Sequence, residues 1–167
     1  SVHGEVTSPF DYFLNLVGFR EGFLALVDAP GRARAILERY SEGLTRLARG
    51  LCGRGIDALK ISSPYAGAGF ISPAHYRTFV LPYEAPIATA AREAGVFAYT
   101  HTCGAVHDRL ELMAEAGVAG IECLDPPPLG TVDLADAKRR VGGRLFIKGN
   151  LDPVHALLRG TEADVER

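Results

Sequence analysis

The chain has 167 residues, 47% of them hydrophobic and 23% charged, which is enough for one domain with a real core and too little for two ordinary ones. Residues 1–167 are therefore expected to form a single domain. The net charge is −2 with no run of like charges, which argues against a nucleic-acid surface or a polybasic membrane contact.

In chain order, Val2–Thr7 alternates as a strand does, and Ser8–Pro9–Phe10 breaks it. Asp11 to Leu26 is a mostly apolar helical stretch interrupted by Gly18 and Gly22. Asp28 is placed to cap the next helix, with Pro30 in its first turn. There Ala33, Ile36, Leu37, Tyr40, Leu44, Leu47, Ala48 and Leu51 repeat at three- and four-residue spacing, which predicts one apolar stripe ending at Gly53 and Gly55. Ile56–Ile61 reads as a strand and Ser62–Gly69 as a loop of small residues. The helix that starts at Ser72–Pro73 runs to Ala94, and Pro82 and Pro86 should kink or split it.

Gly95 leads into a buried strand from Val96 that ends in His101–Thr102–Cys103–Gly104. A short helix over Val106–Ala116, a strand over Ala119–Asp125 and a stiff proline loop, Pro126–Gly130, follow. A helix over Asp133–Val141, a strand over Arg144–Gly149 and a helix opening at Asn150–Pro153 come next. Thr161–Asp164 resembles a capping box, and the sequence stops inside the helix it would start. Strands separated by helices imply β-α units on a parallel sheet. About five units, no Gly-rich phosphate fingerprint and an ending inside a helix favour an incomplete (β/α)8 barrel over an open doubly wound sheet. The only methionine is Met113, so the N-terminus is processed or the chain is a piece of something longer.

No apolar run reaches the length of a membrane span, and the N-terminus lacks a signal pattern. Three cysteines, an odd number, suggest no disulfide framework and fit reduced thiols in a cytoplasmic protein. Cys52 falls in a helical pattern as a small core residue, and His75, His107 and His155 read as solvated. Residues two apart on a strand share a face, with α-carbons roughly 6.5 Å apart. The His101 imidazole at about 2.1 Å and the Cys103 thiolate at about 2.3 Å could therefore reach one zinc ion. For a third ligand the chain offers Cys123, Glu122 and Asp125, or else a residue beyond Arg167.

Either parallel architecture puts its catalytic face at the carboxyl ends of the strands. That is where Ser62, Ser63 and Tyr65, then Glu122, Cys123 and Asp125, then Lys148, Asn150 and Asp152 fall. Tyr65, Asp125, Asn150 and Asp152 are the candidate catalytic residues. Each has a plainer role open to it: Tyr65 as an aromatic packed on the rim, Asn150 in a turn, Asp152 as a helix cap before Pro153.

Tyr65–Ala66–Gly67, Ser72–Pro73, Phe79–Tyr83 and Gly149–Asn150–Leu151–Asp152–Pro153 resemble the uroporphyrinogen decarboxylase superfamily. The match runs from about Asp28 onward and is strongest between Ile56 and Thr161. The resemblance implies a (β/α)8 barrel and one of two chemistries. One is cofactor-free decarboxylation of a porphyrinogen; the other is zinc-dependent methyl transfer between a corrinoid, carried on a partner protein, and a thiol. His-x-Cys-Gly at His101–Gly104 matches the methyltransferases, so by resemblance His101 and Cys103 are zinc ligands. That branch's third ligand, a cysteine near the end of the barrel, matches nothing in this chain, and neither does the decarboxylase's catalytic aspartate. The leading expectation is the zinc methyltransferase branch, with His101, Cys103 and Cys123 as candidate metal ligands and the family's own third ligand expected beyond Arg167. A porphyrinogen decarboxylase is the alternative, although the strand ends carry none of the arginines it would want. A barrel remnant serving as a binding module is a further alternative, and homodimerisation is compatible with all of these.

Overall fold

The alternation of side chains along each strand decides the architecture. In the computed structural model, which describes residues 1–166, five parallel strands lie in sequence order. They are β1 (His3–Thr7), β2 (Ala58–Ser62), β3 (Phe97–Thr102), β4 (Gly120–Cys123) and β5 (Phe146–Lys148). A doubly wound sheet reverses its strand order at a switch point, and this one does not. Its two faces also differ. Val6, Leu59, Ile61, Ala98 and Ile121 are buried in the core. Glu5, Lys60 and Tyr99 stand in register on the other face, as do His101, Glu122 and Lys148. A sheet covered by helices on both sides would be apolar on both. This one is a run of five consecutive β/α units of a (β/α)8 barrel wall, with a bore that carries ion pairs such as Lys60–Glu5 at 2.8 Å.

The helices follow the local chemistry closely. Ser8 caps α1 (Pro9–Val17), and Gly18, at φ 96°, separates it from α2 (Phe19–Asp28). Asp28 does not cap the long helix α3 (Pro30–Cys52) as expected; it is the last residue of α2, and Ala29 stands at the cap without a side-chain bond. Pro30, with φ already set for a helix, starts α3 in its place. The stripe of α3 is buried at Ala33, Leu37, Leu44 and Ala48, but Leu47 points out and is 50% exposed. The proline-rich helix splits at Val80 into α4 (Pro73–Phe79) and α5 (Leu81–Glu93), with Pro82 in the first turn of α5 and Pro86 inside it. A 3-10 turn, His107–Arg109, precedes α6 (Leu110–Glu115), and Asp133 caps α7 (Leu134–Val141). After β5 come a single wide π-helical segment, Pro153–Leu158, and α8 (Glu162–Val165) with the expected capping box on Thr161.

Two carboxyl groups lie inside the wall. Asp11 of α1 accepts from Ser8 Oγ at 2.5 Å and from Tyr65 N at 3.3 Å. Glu84 of α5 is fully buried; one oxygen meets Thr100 Oγ1 at 3.5 Å, and the other has no partner among the described residues. Burial pushes Asp11 up to about 6 and Glu84 up to about 8. Folded Glu84 therefore keeps its proton at neutral pH, whereas the unfolded chain loses it near the ordinary 4.5. The folded state binds more protons across that window. Its stability then falls as pH rises, by up to about 1.4 kcal/mol per pH unit for this one group. Glu84→Gln should remove the effect, so its melting temperature relative to wild type should climb between pH 5 and pH 8. An offset that stays constant over that range would contradict the burial account.

Candidate metal centre

β3 ends at Thr102, and Gly104 at φ 73° turns the chain away with the freedom that only glycine has there. His101 stands on the bore side of β3, in register with Glu122 of β4. Its Nδ1 lies 2.9 Å from Glu122 Oε2, and its Nε2 lies 3.3 Å from Cys103 Sγ. Lys148 of β5 closes on the other Glu122 oxygen and lies 5.1 Å from the centre of the Tyr99 ring.

Strict alternation would put Cys123 with Thr102, its register partner, on the face opposite Glu122. It does not stay there. The backbone takes φ 88° at Cys123 and φ 58° at Leu124, a left-handed conformation that residues with a β-carbon adopt at a cost of about 1–3 kcal/mol each. With the pleat broken, consecutive residues Glu122 and Cys123 both serve one site. The donor atoms of His101, Cys103 and Cys123 then lie within 4.8 Å of one another. Three ligands at 2.0–2.3 Å from a tetrahedral ion sit about 3.5–3.8 Å apart, and one imidazole with two sulfurs is a donor set that zinc favours. The residues present fit that ion.

Without a metal the two thiols are pushed in opposite directions. A hydrogen bond from Cys123, and then one from His101, holds the Cys103 thiol down at about 5. Cys123 moves the opposite way, held protonated first by that same contact with Cys103. His101 is raised, chiefly by its bond to Cys103 against the pull of burial. Burial pushes the Glu122 carboxyl up, but Lys148 and His101 together outweigh it and keep it below its ordinary value.

Asp125 joins the two turns of the site. It accepts from Gly104 N at 2.7 Å and from the Cys123 thiol at 3.1 Å. Among the candidate catalytic residues it alone bonds to one of the three donors. Asp152 spends its oxygens inside its own turn, accepting from Val154 N and His155 N at 2.8 and 2.7 Å and meeting His155 Nδ1 at 2.8 Å. Tyr65 packs edge-on between Phe19 and Phe70, with ring centres 4.5 and 5.4 Å away. Asn150 lies two residues past the end of β5 and is half-buried. A cavity of about 250 Å³ opens beside the cluster, lined by Glu122, Cys123, Asp125, Lys148, Gly149, Leu151 and Pro153. Lys148 is visible in the sequence as a strand-end residue, but only the register shows that it serves Glu122. Cys52 is buried in the core as expected.

The uroporphyrinogen decarboxylase (URO-D) family model matches residues 1–167. The methylcobamide:CoM methyltransferase MtbA of Methanosarcina mazei is 32% identical over 165 residues, which is 99% of this chain and 47% of that protein. The uroporphyrinogen decarboxylase of Nocardia farcinica is 38% identical over 117 residues, or 68% of this chain and 30% of that protein. Among solved structures, a methyltransferase from Methanosarcina mazei superposes with a TM-score of 0.85 at 21% identity, over 98% of this chain and 47% of its own length. The chain thus spans no more than about half the length of these relatives.

The opposite shifts make the thiols unequal. In metal-free protein at pH 6, iodoacetamide should label Cys103 well ahead of Cys123 and Cys52, as read by peptide mass spectrometry. Cys123→Ala should move the pH midpoint of Cys103 labelling upward, toward the ordinary thiol value. A midpoint that does not move would contradict the contact between the two sulfurs.

Proposed function

The chain belongs to the uroporphyrinogen decarboxylase family, and from that membership we propose that it carries the metal-binding part of a methyltransferase moving a methyl group between a corrinoid and a thiol. The observation that supports this is the convergence of His101, Cys103 and Cys123, a donor set that cofactor-free decarboxylation has no use for. Its relative in Methanosarcina mazei, at 32% identity, is named for methylcobamide and CoM, a corrinoid and a thiol partner of this kind.

His101 Nε2, Cys103 Sγ and Cys123 Sγ would hold the ion. Zinc bound by three protein ligands keeps an open position, where it acidifies a thiol and holds it as thiolate at neutral pH. The surrounding residues prepare that arrangement. Glu122 accepts the proton on His101 Nδ1, which fixes the tautomer and leaves Nε2 as the free donor. Lys148 keeps Glu122 ionised and turned toward the imidazole. Asp125 Oδ1 is the nearest base for the Cys123 proton, while its other oxygen holds the Gly104 turn in place. The cavity beside Cys123 and Lys148 offers a small thiol an approach from the barrel mouth. Tyr65, Asn150 and Asp152 would act at the rim. Thiols that must stay reduced suit a cytoplasmic enzyme. Among the described residues no helix is long and apolar enough to cross a membrane.

Equilibrium dialysis against zinc should give about one ion per chain, falling to a small fraction in His101→Ala and Cys103→Ala. Glu122→Gln should weaken binding by about 10- to 100-fold, the range for an outer-shell partner of a metal-bound histidine. Metal-free protein that turns over a porphyrinogen, with no zinc effect on any methyl transfer, would establish the decarboxylase reading instead.

A further inference from the structure

Among the described residues Arg109 is the largest fully buried side chain, yet its one acidic partner there is its neighbour Asp108, at 2.8 Å and partly in solvent. A buried guanidinium is costly unless its hydrogens are satisfied, so where they go is informative. Besides those that reach Asp108, they go to one loop. Nη1 donates to Ala66 O at 2.7 Å and Nη2 to Ile71 O at 2.9 Å, while the guanidinium lies 5.8 Å from the Tyr76 ring centre. Arg109 therefore pins both ends of the 66–71 segment after β2 with a single planar fork.

That segment lies on the turn that carries Cys103. Ala68 N donates to Ala105 O at 2.7 Å, and just upstream Ser63 N donates to His101 O at 2.8 Å. Gly67 is packed so closely that a β-carbon there would lie 2.8 Å from Cys103 O and 3.3 Å from Ala105 O. The segment thus bears on the backbone on both sides of the sulfur. Arg109 itself follows Cys103 by six positions, so turn, arginine and loop form a closed clasp.

We propose that Arg109 is a positioning residue of the metal centre: by fixing the 66–71 segment against the Cys103 turn, it holds that sulfur where it meets His101. This rests on the metal-binding reading above, and metal affinity is the quantity it controls. Lysine at this position keeps the charge but lacks the rigid planar fork that presents separate nitrogens to the two carbonyls. The test measures zinc affinity by competition with a chromophoric chelator, alongside thermal unfolding of each metal-free protein. Arg109→Lys should bind zinc at least about tenfold more weakly than wild type. Gly67→Ala, which keeps the Arg109 side chain and disturbs the clasp from the loop side, should weaken zinc similarly. Both should change the visible spectrum of bound cobalt(II), a signature that a purely structural loss of stability would leave alone. A folded Arg109→Lys or Gly67→Ala protein with zinc affinity within about twofold of wild type would overturn the proposal. Wild-type protein that binds no zinc would overturn the metal reading and this inference with it.

Discussion

The pleat breaks at the end of β4, and the candidate centre depends on that break. A strand can offer only every second side chain to one face. Glu122 already takes the bore-side position next to His101, so a regular strand would leave Cys123 among the outward residues beside Thr102. Two successive left-handed residues, Cys123 and Leu124, let the chain present both. The strain is tolerated because the neighbouring backbone is held on the other side, by Asp125 reaching across to Gly104. Strained backbone tends to collect at functional sites, and here it sits on the residue that completes the donor set.

Around that break runs a line of charge. Lys148, Glu122 and His101 stand side by side on three adjacent strands, and the line ends at Cys103. None of these pairs is deeply buried, so their Coulomb energies are modest and their value lies in orientation. They settle which imidazole nitrogen faces the sulfurs. Behind the strands the logic reverses: among the described residues Asp11 and Glu84 have no basic partner, and burial raises both carboxyls, Glu84 far enough to keep its proton at neutral pH.

Much of this was legible from residue spacing. The three-and-four repeat of α3, the β-α rhythm and the clustering of polar residues at strand ends all lead to a barrel wall with its chemistry at one rim. That His101 and Cys103 share a face follows from the two-residue period; reading them as ligands took their place at a strand end and the resemblance as well. The features that were hidden are those where a local rule has a competitor. Asp28 has the right chemistry for a cap, but α2 continues through it and Pro30 starts α3 unaided. Cys123 changes face through backbone angles that its sequence does not announce, since neither it nor Leu124 is a glycine. Arg109 looks like a surface residue of a short amphipathic helix; a 3-10 turn ahead of α6 rotates it inward. Register, which no single stretch contains, is what joins Lys148 to Glu122.

The most direct examination of the donor set is zinc K-edge X-ray absorption on the metal-loaded protein and on Cys123→Ala. The account predicts a first shell with sulfur at about 2.3 Å and nitrogen at about 2.0–2.1 Å, and one sulfur fewer in the variant. An identical sulfur count in the two proteins would show that Cys123 is not a ligand and that the break in β4 serves something else.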